Sequence, residues 1–353
     1  MIVALTDAGM NERQLTLATW YAANRRRLPW REQPTPYRVW LSEIMLQQTR
    51  VETVLPYFER FLDRWPTVSD LAAAELDDVL SVWSGLGYYS RARRLHAAAI
   101  QITERGAWPN DVAGLRKLPG VGPYTAGAIA SIAFGRDEPA VDGNIERVTC
   151  RLHAYEHDPR TPHGRRDVWA LAAADLPVGH AGDHNQALMD LGSRICTPRK
   201  PSCEACPLRA GCRASDLGLQ DVLPRLPPRK RPTLVRGVCA ALIRGGRVWM
   251  VKRPPTGLLA GLLELPGAEL TDAGCERQTL TRIFEERLGL RVVRAHRLGE
   301  VRHVFSHRRL IQAVWRLDAE GTPSGGEWLL PHAQRELSTL AKKTLALALL
   351  DEP

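Results

Sequence analysis

No run of eighteen or more apolar residues occurs in the 353-residue chain, which excludes an ordinary membrane-spanning helix. The opening stretch MIVALTDAGMNERQ has no basic region followed by a long apolar run and a cleavage site. No secretory signal is therefore indicated, and a cytoplasmic protein is expected, nucleoid-associated if the source is bacterial. Internal repeats and low-complexity tracts are missing as well. Cysteine is scarce and unevenly spread: there are seven, an odd number, with four inside seventeen residues. In an intracellular chain that distribution speaks against a disulfide framework and for metal chemistry. The other three, Cys150, Cys239 and Cys275, sit among apolar neighbours and are expected to be small buried hydrophobes.

What is present is enough apolar material, 44% of residues against 25% charged, for two globular domains. The formal charge of +9 suits a polyanionic partner. It is unevenly placed: residues 1–215 carry 26 Lys and Arg against 24 Asp and Glu, whereas residues 216–353 carry 22 against 15. Charge does not mark the N-terminal part as a nucleic-acid binder, so that reading rests on motifs.

From Leu15 to about Leu191 the chain is a succession of 3.6-period patterns broken at Pro and Gly, among them LATWYAANRRR, VWLSEIMLQQTRVETVLPYFERFLDRW, LAAAELDDVLSVWSGL and RARRLHAAAIQITERG. This predicts an all-α domain over residues 1–215. Residues 216–233, rich in Pro and Arg with little periodicity, read as a linker. Over residues 234–353 the texture changes. VRGVCAALI and RVWMVKR flank a Gly245-Gly246 turn, RHVF and RRLIQAVWRL are further strands, and helices are expected near residues 275–288 and 337–350. The C-terminal domain is thus predicted to be α+β.

Cys196, Cys203, Cys206 and Cys212 follow the spacing C-x6-C-x2-C-x5-C. Four thiolates can hold a tetrahedral zinc or a [4Fe–4S] cluster, and only Cys203 and Cys206 form the C-x2-C knuckle that zinc sites usually pair. Within that loop Arg199 and Lys200 could meet phosphates or simply be solvated. Upstream, Leu118-Pro-Gly-Val-Gly-Pro123 separates two helical segments. Such a turn reads as a helix-hairpin-helix, in which Gly120, Val121 and Gly122 and the helix behind them offer backbone N–H groups to a phosphate.

Two carboxylates stand in different settings. Glu43, if Val39 to Thr49 is helical, has Val39, Trp40 and Leu46 among its one-turn neighbours, so burial should raise its pKa and leave it a proton donor near neutrality. A buried structural acid would look the same. Asp142, in PAVDGN, precedes a helical pattern and occupies a natural N-cap position, where helix amides should keep it ionised. A protonated acid opposite an ionised carboxylate is the arrangement that cleaves glycosidic bonds.

Through LPGVG, VDGN and the four-cysteine loop, most of residues 15–213 resemble the endonuclease III superfamily of helix-hairpin-helix base-excision glycosylases. LPWR at residues 28–31, VWLSEIMLQQT at 39–49, GLGYYSRAR at 85–93 and NQALMDLG at 185–192 are similar to the MutY-type adenine glycosylases in particular. GLLAGLLELPG at 257–267 and FSH at 305–307 extend the likeness into the second domain. The resemblance implies a [4Fe–4S] cluster on the four cysteines and a duplex DNA substrate carrying adenine opposite 8-oxoguanine or guanine. It implies Glu43 as the acid that protonates adenine N7, Asp142 as the stabiliser of the sugar cation, and Tyr124 and Asn144 as assistants at the sugar. Trp30, Arg31, Leu46, Met189 and Asp190 would wall the pocket for the flipped base. Gln48 and Tyr88 would wedge into the duplex, and Thr49 joins these substrate-binding residues.

Lyase members of the superfamily carry Lys where this chain has Tyr124, so a Schiff base is not expected and the implied enzyme is monofunctional. The second domain resembles the Nudix hydrolases, but Ile283 and Arg287 stand where that family's metal-binding acids would be. It reads as a Nudix-like recognition module with Phe305, Ser306 and His307 at the 8-oxoguanine. Two other functions fit the motifs less well: an oxidised-pyrimidine glycosylase with lyase activity, opposed by Tyr124, and a non-catalytic iron–sulfur damage binder, opposed by the Glu43–Asp142 pairing. A monomer is expected, since no self-complementary apolar heptads occur.

Overall fold

Proline and side-chain caps decide where the helices begin. Asn11 opens the first with a reciprocal capping box, its side chain accepting from Gln14 N and Gln14 accepting from Asn11 N. Pro29, Pro36, Pro123 and Pro162 each stand at the start of a helix, where the missing N–H costs nothing. The computed structural model describes residues 9–228, 232–254, 257–271, 275–305, 307–330 and 337–350. Among them, no helix is long and apolar enough to cross a membrane.

The helices in chain order are α1 (Glu12–Asn24), α2 (Pro29–Glu32), α3 (Pro36–Leu46), α4 (Val51–Arg64), α5 (Val68–Ala73), α6 (Leu76–Trp83), α7 (Ser90–Arg105), α8 (Val112–Leu115), α9 (Pro123–Phe134), α10 (Gly143–Leu152), α11 (Pro162–Ala174), α12 (Ala181–Arg194), α13 (Arg213–Asp216), α14 (Glu276–Arg282) and α15 (Thr339–Leu349). The strands are β1 (Thr233–Arg244), β2 (Arg247–Lys252), β3 (Leu263–Glu264), β4 (Gly267–Glu269), β5 (Arg291–Val304), β6 (Arg308–Glu320) and β7 (Gly326–Leu329). Two compact units result, one of residues 1–73 with 94–228 and one of residues 74–93 with 229–353. These bounds differ from the 1–215 and 234–353 read from the sequence, chiefly in that residues 74–93 fall with the second unit. Within the second unit the hydroxyls of Ser84 and Tyr89 both reach Leu337 O at 3.4 Å, and Arg93 Nη2 donates to Ala260 O at 3.2 Å. The first half of the expected linker is not free: Leu223 is buried and its carbonyl accepts from Arg151 Nε at 2.9 Å, while Arg225 pairs with Glu156 at 2.8 Å.

In the helical unit α3 is buried from Val39 through Met45, as a helix apolar on nearly all sides must be. Close approaches depend on glycine. A Cβ on Gly127 of α9 would lie 2.0 Å from Pro139 O, and one on Gly192 of α12 would lie 2.7 Å from Asn144 Cβ. These contacts draw the segment before α10, and α10 itself, against α9 and α12. Leu17, Tyr21, Ile145, Val148, Leu188 and Leu191 form the core beneath them. The expected continuous helical run from Val39 to Trp65 is broken at residues 47–50, where Gln48 takes φ 59°.

In the second unit Gly245 and Gly246, with φ 55° and 68°, supply the two left-handed residues that a tight β1–β2 hairpin requires. The sheet order is β3-β2-β1-β6-β5, with β4 on β1, β7 on β2, and β1 parallel to β6. β1 is buried over residues 237–242 because both faces are covered. Cys239, Ala241, Val301 and Val314 meet α15, and Val238, Ala240, Leu242 and Leu317 meet α14. β5 starts at Arg291, earlier than the expected RHVF segment, its Val, Ala and Leu residues alternating with arginines. The helix expected over 275–288 is α14 followed by a π-turn over Ile283–Arg287. Cys150 and Cys239 are buried as expected, but Cys275 is exposed, because it caps α14 from outside.

Candidate active site

A cavity of about 1300 Å³ opens among α2, α3, α9, α10 and α12 of the helical unit. It is larger than a small-molecule pocket needs. Glu43, Asp142, Tyr124 and Asn144 all line it, together with Trp30, Arg31, Leu46, Gln48, Thr49, Met189 and the Gly120–Gly122 turn. The predicted catalytic, phosphate-gripping and base-pocket residues of this unit are therefore brought together, with one exception.

Glu43 projects from α3 and is 6% exposed. Burial raises its carboxyl to about 7; a hydrogen bond from Tyr124 opposes this, the charge of Asp142 adds to it and that of Arg31 opposes it. The Tyr124 hydroxyl, on α9, donates to Glu43 Oε2 at 2.6 Å and lies 3.9 Å from Met189 Sδ. Its own pKa is driven well above 10, first by burial and then by the charges of Glu43 and Asp142, so the phenol remains a donor. Trp30 is buried and stacks edge-on against Phe58 at 5.1 Å.

Asp142 is the N-cap of α10. Its Oδ1 accepts from Asn144 N at 2.9 Å and Ile145 N at 2.7 Å, and its Oδ2 accepts from Asn144 Nδ2 at 2.8 Å. These amides favour the ionised carboxylate, against the effect of burial. Burial outweighs the amides of Ile145 and Asn144 and the charge of Arg147, and the net direction is upward. Burial thus shifts both acids upward.

The exception is Asp190. It does not line the cavity; its side chain is 0% exposed behind it and held by two guanidinium groups. Arg26 Nη2 approaches Oδ1 at 2.6 Å and Arg31 Nη1 approaches Oδ2 at 2.8 Å. Burial alone would raise Asp190, but the hydrogen bonds and charges of Arg31 and Arg26 prevail and hold it below the usual carboxylate range. Asp190 is accordingly a positioning residue: it fixes Arg31, whose charge acts on Glu43.

The backbone at two predicted duplex-contacting residues is strained. Gln48 on the rim of the cavity and Tyr88 in the second unit, both exposed, adopt φ 59° and 48°. A non-glycine residue in that region costs on the order of 1–3 kcal/mol and persists only where the surrounding structure holds it. In the hairpin Gly120 has φ 81°, and a Cβ there would meet Arg94 Cβ at 3.0 Å. The Val121 N–H is spent on Leu118 O at 3.2 Å, which leaves the first turn of α9 as the main source of open donors.

Cys196, Cys203, Cys206 and Cys212 line one small cavity with Arg151. Arg151 is 2% exposed, donates from Nη1 to Cys196 Sγ at 3.2 Å, and leaves Nη2 without a partner. A buried cation beside four thiols asks for thiolate counter-charge, so the donor set fits an iron–sulfur cluster. Arg199 and Lys200 are exposed on this loop.

In the second unit Phe305 borders a cavity of about 420 Å³ and packs against His303 with ring centroids 4.5 Å apart. His307 Nε2 accepts from Arg308 Nε at 3.1 Å. Ser306 lies outside the described residues. Arg287 lines the same cavity, and Ile283 is buried beneath it, so neither offers the oxygen a hard cation needs.

Sequence reasoning missed Arg26 and Arg147. Arg147 Nη2 donates to Asn144 Oδ1 at 3.0 Å and Gly192 O at 2.6 Å, while its Nε donates to Cys196 O at 2.7 Å. One guanidinium therefore orients both the neighbour of Asp142 and the first cysteine. Its position five residues after Asp142 on α10 was the only signal available.

This combination of hairpin, paired acids and four-thiol loop defines a base-excision class of protein. Residues 41–173 match the HhH-GPD superfamily of base excision DNA repair proteins, residues 196–212 the iron–sulfur binding domain of endonuclease III, and residues 238–347 the Nudix domain. The chain is 36% identical to the adenine DNA glycosylase of Homo sapiens, covering 93% of this chain and 71% of that one, and 37% identical to that of Rattus norvegicus, covering 93% and 76%. It belongs to the adenine DNA glycosylase family. Among solved structures, a thermostable thymine-DNA glycosylase aligns with TM-score 0.53 and 29% identity over 58% of this chain and 95% of that one. An endonuclease III–DNA complex shares the fold, with TM-score 0.50 and 24% identity over 59% and 95%.

Proposed function

We propose that this chain, acting as a monomer on duplex DNA, flips out adenine mispaired with 8-oxoguanine or guanine and excises it without cutting the strand. The observation that carries the reading is the buried Glu43, half protonated near pH 7, hydrogen-bonded to Tyr124 in the same cavity as the capped Asp142. Glu43 gives its proton to N7 as the C1′–N9 bond breaks, and the bonding electron pair leaves with the base. The sugar is left as an oxocarbenium ion, which the Asp142 carboxylate faces. Glu43, now ionised, takes a proton from the water that adds to C1′. Asp190 acts through Arg31, and Gln48, Thr49 and Tyr88 engage the distorted duplex.

The cysteines at 196, 203, 206 and 212 would hold a [4Fe–4S] cluster, which when bound cross-links the loop and balances Arg151. The step at the sugar needs only the residues named. Tyr124, in place of a lysine, supports a monofunctional reaction, since no amine stands there to form a Schiff base. Phe305 and His307, with Ser306, are assigned to the 8-oxoguanine on the strength of the FSH motif.

A single-turnover assay decides. Duplexes carrying adenine opposite 8-oxoguanine, adenine opposite guanine, or an oxidised pyrimidine are incubated with excess protein and resolved with and without alkali. Breaks at adenine that appear only after alkali are expected. Spontaneous breaks at the pyrimidine would sink the proposal, and so would a lack of base release from every duplex.

A further inference from the structure

The sheet of the second unit continues past its helical cover. On one face α14 packs over Val238, Ala240, Leu242, Ala313 and Leu317. Its first residue, Glu276, closes that cover by accepting from Arg297 Nε and Trp315 Nε1, each at 2.9 Å. Registered partners in a ladder project to the same side, and alternate residues of a strand share a face. The pairings of β1, β6 and β5 therefore extend this face by two rows. Leu234 pairs with Arg309 and Arg309 with Val304; Arg236 pairs with Ile311 and Ile311 with Arg302.

Arginine and apolar side chains alternate there like a checkerboard. Leu234 is 50% exposed and Val304 68%, and the three arginines are exposed. Other arginines of this sheet are neutralised: Arg291 by Glu320, Arg297 by Glu276 and Glu300, Arg308 by Glu269. Among the described residues no carboxylate stands within ion-pair distance of Arg236, Arg302 or Arg309, although Arg236 adds to the positive field at Glu276. Diagonal neighbours on a sheet are about 7–8 Å apart, so Arg236, Arg309 and Arg302 form a zigzag that successive phosphates of one strand can match. Guanidinium forks take phosphate oxygens bidentately, and the intervening Leu, Val and Ile offer contact to sugars.

We infer that this face binds the backbone of a DNA strand through Arg236, Arg302 and Arg309. The choice of DNA as the polyanion rests on the glycosylase reading; the unneutralised charge does not. The test is the salt dependence of duplex binding by the full chain, read by fluorescence anisotropy. Each phosphate contact adds about 0.9 to the log–log slope. Arg302→Gln with Arg309→Gln should therefore flatten the slope by about 1.8, and between about 50 and 200 mM salt the unaltered chain should lose roughly twelvefold more affinity than this variant. A control, Arg247→Gln with Arg282→Gln, removes equal charge from exposed positions elsewhere on the unit and should keep the original slope. Equal slopes for the two double variants overturn the inference. So does binding of poly-glutamate that depends on Arg302 and Arg309 while the duplex slope stays fixed, which would make an acidic protein the occupant. Adenine release is measured in parallel: a steep slope with no release fails the glycosylase reading alone, and normal release with equal slopes fails the surface alone.

Discussion

Replacing Tyr124 with Phe removes one hydrogen bond from the Glu43 carboxylate and leaves the ring in place. The hydroxyl donates at 2.6 Å to an acid that is 6% exposed, and after burial it is the largest influence on the proton affinity of Glu43, acting to lower it. A hydrogen bond to a charged group contributes about 1.5–3 kcal/mol, and about 1.4 kcal/mol moves a pKa by one. Without the bond the ionised form loses support, so the midpoint of Glu43 should climb from about 7 by at least about one pH unit. The protonated form is the working form, so the rate falls as pH rises through the midpoint. In the unaltered chain about a tenth of the acid remains protonated one pH unit above it. The variant should hold its rate to higher pH before falling, whatever its ceiling. Single-turnover release of adenine, measured across neutral and alkaline pH and normalised to each protein's plateau, reads this directly. An alkaline limb that stays put, or moves to lower pH, refutes either the role of Tyr124 in holding the charged form or that of Glu43 as the titrating acid.

Glu43→Gln should abolish base release while leaving duplex binding intact, and it should also stabilise the fold. Folded Glu43 keeps its proton to about 7 whereas the ordinary value for a glutamate is 4.5, so the native protein loses stability as pH rises between those values and stays lower above them; the amide escapes this. The variant's gain in unfolding free energy, read by urea titration, should be larger at pH 8 than at pH 4.5, reaching at most about 3 kcal/mol, and an equal gain at both would contradict the raised affinity. Asp190→Asn strands Arg26 and Arg31 beside a fully enclosed amide, for which urea titration should show a loss of about 3–5 kcal/mol; a loss below about 1 kcal/mol would mean that water reaches the pair. Gly192→Ala drives a methyl against Asn144 Cβ, and base release should slow by about a hundredfold with duplex affinity unchanged. An unaltered rate would show that α10 yields without moving Asp142. Cys206→Ser should lower bound iron per chain and expose residues 196–212 to protease; full iron content would remove Cys206 from the ligand set.

Local features were readable because they are local. Glu43 is buried because Val39, Trp40 and Leu46 surround it at helical spacing, and Asp142 caps α10 because an aspartate before Gly-Asn and an apolar helix has amides to accept from. What failed to appear depended on distance along the chain. Arg26 and Asp190 are 164 residues apart, and no pattern around either announces the pair. The direction in which Asp142 shifts depends on how tightly the walls close over it, a property of packing that an N-cap motif does not encode. The left-handed turn at Gln48 interrupts what periodicity reads as one helix, since Gln is a good helix former and only tertiary context holds φ positive there. β5 was underestimated because its arginines dilute the apolar alternation that marks a strand.

The upward shift of both acids bears on how the site can accelerate its reaction. A cavity that resists a second negative charge would make a poor resting home for two carboxylates, and Glu43 feels Asp142 as such a charge. Removing adenine changes the balance at the moment of bond cleavage: Glu43 gives up its proton while a positive charge grows on the sugar. The cation adds to the charge of Arg147 in stabilising the Asp142 carboxylate, and the three hydrogen bonds from Asn144 and Ile145 already hold its oxygens in place to meet it. Stabilisation of that kind is stronger in the transition state than in the complex with uncharged substrate, which is the condition for raising the rate and not merely the affinity. Arg31 fits the same logic. Locked onto Asp190, it is partly neutralised and lowers the proton affinity of Glu43, so the acid remains willing to give its proton.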